Sequence, residues 1–201
     1  MMKFSWRFSF LLWLPLCSGT LQAAALDSAR LVRDARSQIG VTTSYDPAYR
    51  VLSFPMGDVD ARTGVCTDVV VRAYRRQGID LQALVNQDMR RAFAVYPKQW
   101  GLRAPDRNID HRRVPNLQVF FTRHGQKLPV SQQASQYQPG DMVTWMLPGN
   151  RPHIGIVSQR RSAQGTPLII HNIGGGTQEE DVLFAFPITG HYRYRPDTAR
   201  Q

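Results

Sequence analysis

Three residues of the 201-residue chain combine chemistry-bearing side chains with promising settings: Cys66, His153 and His171. Cys66 stands in RTGVCTDVVVRAYRRQG, where Val69, Val70, Ala73 and Tyr74 follow it at i+3, i+4, i+7 and i+8. That spacing predicts an amphipathic helix whose apolar face begins with the sulfur. Thr63 or Gly64 is the expected N-cap, Asp68 falls in the first turn, and Arg75, Arg76 and Gly78 mark the far end. A first-turn thiol faces unpaired backbone N–H groups and the positive end of the helix dipole. Both favour thiolate, the form that attacks carbonyl carbon. The alternative is a small buried apolar side chain with no chemistry.

His153 begins HIGIVSQ, and His171 closes PLIIHNI just before the glycines at 174–176. Both segments read as strands, and a hairpin would bring the two rings together. An imidazole beside the sulfur could take its proton and later return it to a leaving amine, while a second polar group fixes the first ring's tautomer. His153 fits the base and His171 the orienter. The backbone N–H groups of Cys66 and of its helix-start neighbour Thr67 could hold the oxyanion. Taken singly, each histidine reads first as a satisfied structural residue; together, with a lone cysteine at a helix start, they favour a catalytic set. The same three side chains also suit zinc, but no CxxC or HExxH pair accompanies them. No metal or cofactor is expected.

Four helices should position the cysteine, and a sheet the histidines. The first starts at Asp27 or Ser28, packs Leu31, Val32, Ala35 and Ile39, and ends at Gly40. Residues 41–64 read as a long loop before the cysteine helix. Asp80 caps a third helix with Leu81, Leu84, Val85, Met89, Ala92, Phe93 and Tyr96 on one face, stopped by Pro97. Residues 98–113 are loop-like and basic, with Arg103, Arg107, Arg112 and Arg113 around Trp100 and His111. They serve either as a solvated connection or as a binding edge for an acidic substrate. Pro115 opens a fourth helix ended by Gly125, with His124 in its last turn as a dipole partner. Beyond Pro129 the pattern shifts to short apolar runs: DMVTWML, HIGIVSQ, PLIIHNI and ITGHYRY. Their spacing implies an antiparallel sheet, so the fold class is α+β, with N-terminal helices packed on a later sheet. Asp141 is expected to be a turn residue, Asp68 a complement to the helix dipole, and His191 a surface strand residue.

Residues 1–25 read as an export signal: Lys3 and Arg7, then the apolar run Phe8 to Leu16, then Ala23-Ala24-Ala25. Residues 26–201 then form one domain, periplasmic or secreted, with no transmembrane segment and an expected monomeric state. Cleavage would remove Cys17 and leave Cys66 without an intrachain partner. The formal net charge of +10 loses only Lys3 and Arg7 with that segment, so an acidic partner is expected. For an exported chain that means an anionic wall polymer or lipid headgroups rather than nucleic acid.

The helix, cysteine-headed helix, and QPGDMVTWMLPGNRPHIGIVS phrase resemble the NlpC/P60 branch of papain-like cysteine peptidases. More narrowly, TGVCTDVVVRAYRRQGIDL and HNIGGG resemble the exported bacterial family called domain of unknown function 1287. The resemblance spans about Ser28 to Arg195. It implies Cys66 as nucleophile, His153 as base, His171 as third polar member, and Tyr45 as a residue that helps orient the site. The usual peptidase motif has Asp before the cysteine and Ser-Gly after it, whereas this chain has Val65 before and Thr67-Asp68 after. The narrower family has no assigned reaction and supplies no substrate. The resemblance implies a hydrolase of peptide or amide bonds in peptidoglycan, acting through a Cys66 thioacyl intermediate. The competing expectation is a non-catalytic basic module that holds anionic envelope polymer on the same fold.

Overall fold

The computed structural model describes residues 27–196, together with Met1 and Met2. The rest of the expected export segment, with Cys17, lies outside the described residues. Helix α1, Ser28–Arg36, opens at Asp27, whose side chain accepts the Ala29 N–H at 2.9 Å. It buries Leu31, Val32 and Ala35 and ends before Gly40. The expected loop over 41–64 holds one short parallel pair, β1 (Ser44–Tyr45) with β2 (Thr63–Gly64). This pair displaces the expected N-cap: α2, Cys66–Arg75, is entered from Val65. Helix α3, Leu81–Ala92, is capped by Asp80, which accepts the Gln82 N–H at 3.0 Å. It gives way to a 3-10 turn at Phe93 and so ends short of Tyr96. Helix α4, Val114–His124, carries Pro115 in its first turn and stops at Gly125.

The sheet has six strands: β3 (Gln126–Leu128), β4 (Met142–Leu147), β5 (Arg151–Arg161), β6 (Pro167–Asn172), β7 (Thr177–Glu180) and β8 (Ile188–Arg193). They lie in the order β3-β8-β4-β5-β6-β7, each pair antiparallel. The four apolar runs became the central strands. The edge strands β3 and β7 are short and polar; an edge needs pairing on only one side, and polar side chains guard its open rim.

Both faces of the sheet are covered. Val69, Val70 and Tyr74 of α2 and Leu117 and Phe121 of α4 pack on Met142, Ile154, Ile156, Ile170 and Tyr192. On the opposite face Tyr137, Val143, Trp145, Val157, Ile169 and Leu183 form a second cluster. Burial on two faces explains why the central strands read as apolar runs rather than as alternation. It also corrects the expectation for His191, which is buried, with Nε2 2.8 Å from Asp141 Oδ2 and its ring stacked on Tyr137. Asp141 does serve its turn by accepting the Gln138 N–H, but it also accepts two hydrogen bonds from Arg193. His124 reaches beyond its own helix, placing Nε2 2.9 Å from Asp88 of α3.

Candidate active site

The start of α2 is fixed by a buried ion pair. Asp68 accepts the Val65 N–H at 2.7 Å, closing the first turn around Cys66. Its carboxylate is also gripped by Arg112, Nε to Oδ1 at 3.0 Å and Nη2 to Oδ2 at 2.9 Å. Arg112 donates further to the carbonyls of Asp46 and Ala48, joining the helix start to the loop after Tyr45. Asp68 is therefore more than a dipole complement. Arg112 is no part of an exposed binding edge: its side chain is 1% exposed and committed to these partners. Thr67 is likewise turned aside, its hydroxyl donating to the Arg112 carbonyl at 3.0 Å. Of Thr67 only the backbone N–H faces the sulfur.

Cys66 is buried at the foot of a cleft of about 190 Å³ whose walls include Tyr45, Val65, Trp100, Arg113 and Pro152. Burial pushes the thiol up to about 11, against backbone N–H groups of Ile154, Thr67 and Cys66 that favour thiolate. The helix start acts in the expected direction, but lost hydration outweighs it. The resting group is a neutral thiol rather than the expected thiolate. Tyr45 turns its phenol to the sulfur; burial, and then the nearby Cys66 and Asp68, raise its ionisation, so the phenol keeps its proton.

His153 on β5 and His171 on β6 meet ring to ring, Nε2 of the first 2.8 Å from Nδ1 of the second. The hairpin thus brings together the two histidines singled out by sequence. Gly155 makes room for them: a Cβ there would lie 3.1 Å from the His171 Cβ and 2.5 Å from Ile169 Cγ2. Burial lowers His153 to about 3 and lowers His171 as well, so both rings are neutral at pH 7. The sulfur reaches this strand at the backbone N–H of Ile154, next to His153, while the His153 Nε2 bond runs to His171. Among the described residues no hydrogen bond joins the sulfur to the His153 ring, and no group of three or more His, Cys, Asp or Glu side chains could hold a metal ion.

Two contributors escaped the sequence reading. Asn172 donates to the Gly64 carbonyl at 3.1 Å and to the Ser44 carbonyl at 3.3 Å, tying the end of β6 to β1 and β2. Its position directly after His171 was the one available signal. Glu180, with Oε2 2.8 Å from His171 Nε2, lies on the polar edge strand β7, which apolar periodicity could not reveal. The glycines after Asn172 do more than loosen a loop. Gly176 has φ +90, and a Cβ there would sit 2.4 Å from the Thr42 carbonyl.

The family described as Domain of unknown function (DUF1287) matches residues 32–194. The chain belongs to the DUF1287 family. The "Uncharacterized protein YijF" of Escherichia coli (strain K12) is 53% identical over 174 residues, 87% of this chain and 85% of that protein. Two solved structures are similar at 18% identity. "Structure of NlpC1 from Trichomonas vaginalis" has a TM-score of 0.47, over 88% of this chain and 47% of that one. "Structure of NlpC2 from Trichomonas vaginalis" has a TM-score of 0.45, over 85% and 48%. The chain spans about half the length of those two proteins.

The remaining arginines of this DUF1287 chain divide by environment. Arg103 and Arg107 are exposed, and Arg107 lies over the Phe54 ring at 5.5 Å. Arg113 lines the cleft, its guanidinium 4.3 Å from the centre of the Trp100 ring. Trp100 is half exposed and holds a left-handed backbone, φ 64, at the rim.

Proposed function

We propose that this chain is an exported cysteine hydrolase that cleaves a peptide or amide bond in peptidoglycan. The observation that carries this is Cys66 at the foot of a cleft, beside a strand whose His153 is hydrogen-bonded to His171. In the proposed cycle His153 approaches the thiol when substrate enters and takes its proton through Nδ1, as Sγ forms a bond to the carbonyl carbon. Apo sites commonly hold such contacts open until substrate is bound. Backbone N–H groups at the start of α2 stabilise the oxyanion. His153 then protonates the leaving amine as the C–N bond breaks, and a water deprotonated by the same ring hydrolyses the thioester. Arg103, Arg107 and Arg113 favour an acidic wall fragment, whose attraction weakens with salt.

The burial of Cys66 and its raised ionisation favour one other reading, a basic module that binds envelope polymer without cutting it. Digestion of purified wall fragments, with products read by mass, separates the two. The hydrolase gives new termini that Cys66→Ala abolishes. The binding module gives none, and holds wall material equally well with Cys66→Ala.

A further inference from the structure

Two neutral imidazoles joined by one hydrogen bond can be arranged in either direction. In one, His153 Nε2–H donates to a bare His171 Nδ1, and His153 Nδ1 keeps a lone pair able to accept a proton. In the other, His171 Nδ1–H donates to a bare His153 Nε2, and the remaining ring proton of His153 sits on Nδ1. The second arrangement leaves no base. Nothing in the 2.8 Å contact between the rings chooses between them.

The choice lies one strand further out. In the β6–β7 register His171 faces Gln178, so Glu180, two residues on, is its diagonal neighbour on the same face. Its Oε2 lies 2.8 Å from His171 Nε2. An ionised carboxylate can only accept, so His171 Nε2 must carry the proton. A neutral His171 then has a bare Nδ1, which in turn must accept from His153 Nε2–H. We infer that Glu180 is a positioning residue that sets the direction of the His153–His171 hydrogen bond and so keeps His153 Nδ1 free to act as the base. The neighbouring Glu179 cannot substitute, because it points to the other face and is occupied by Arg36 and Ser158. Glu180 is 39% exposed, so water competes for it, and its effect is smaller than that of the buried aspartate of a serine-protease triad.

The inference rests on the hydrolase reading for its use, but its test does not. Long-range proton–nitrogen NMR on histidine-labelled chain reports which ring nitrogens carry hydrogen, with His153→Asn and His171→Asn for assignment. In the unsubstituted chain at neutral pH, both rings should be protonated at Nε2 and bare at Nδ1. Glu180→Ala should give a mixture of the two directions. Glu180→Lys, whose ammonium can only donate, should reverse both rings. A protonated His153 Nδ1 in the unsubstituted chain, or an unchanged pattern in Glu180→Ala, overturns the inference. Turnover of wall fragments is read separately, with a loss expected for Glu180→Ala that stays below the roughly 10⁴-fold a wrong tautomer costs a serine-protease triad. Absence of turnover in the unsubstituted chain would count against the hydrolase and leave the NMR result standing.

Discussion

Asn172 Nδ2 donates to the Gly64 carbonyl at 3.1 Å, joining the residue after His171 to the residue two before Cys66. This bond and its companion to Ser44 fasten the hairpin that carries His153 and His171 to β2, which leads into the Cys66 helix, and to the strand that carries Tyr45. Asn172 is buried, so removing its amide takes a hydrogen bond from each carbonyl and leaves Gly64 with only the Asp46 N–H, at a cost of about 1–3 kcal/mol. The expected outcome for Asn172→Ala is that loss in denaturant unfolding, with a larger proportional loss of wall-fragment turnover in protein that remains folded. Turnover falling only as far as the folded fraction would make Asn172 a stabilising residue and nothing more.

The second prediction concerns the four arginines once grouped as a basic edge. Arg112 and Asp68 form a buried bidentate pair, and truncating one partner strands the other's charge out of water. Arg112→Ala should destabilise the chain by about 3–5 kcal/mol. Replacing exposed Arg103 and Arg107 with glutamine should leave the unfolding midpoint within about 0.5 kcal/mol of its original stability while flattening the salt dependence of binding to anionic wall material. Equal destabilisation by the two replacements would contradict the assignment of Arg112 to the interior.

The contrast between those arginines shows what the sequence could convey. The central strands, the helices and the chemistry-bearing trio were legible because burial leaves a periodic apolar trace around them. Cys66 heads its helix and His153 meets His171, as the spacing and the hairpin implied. Asp68–Arg112, Asn172–Gly64 and His171–Glu180 left no such trace, since each joins a polar residue to a partner fixed only by tertiary structure. The thiol's ionisation failed to follow from helix position for a related reason. The dipole is local and visible in sequence, whereas the burial that outweighs it comes only with the tertiary fold.

The last prediction follows from that balance. A thiol at about 11 is almost wholly protonated at pH 7, so alkylation of Cys66 by iodoacetamide should be slow there and rise about tenfold per pH unit towards 11. His153, lowered to about 3, stays unprotonated far below neutrality, so in the proposed hydrolase it remains available as the base there. The acid limb of kcat/KM should therefore lie well under the usual histidine value. Stability sets a competing limit. The folded-state pKa of His153 lies below its unfolded value near 6.5, so its contribution is complete above 6.5 and is lost as pH falls towards 3, at about 1.4 kcal/mol per pH unit. Circular dichroism at each pH separates loss of fold from loss of base. Alkylation that already levels off at or below pH 8 in folded chain would mean that Cys66 and His153 rest as a thiolate–imidazolium pair, and that burial does not govern the sulfur.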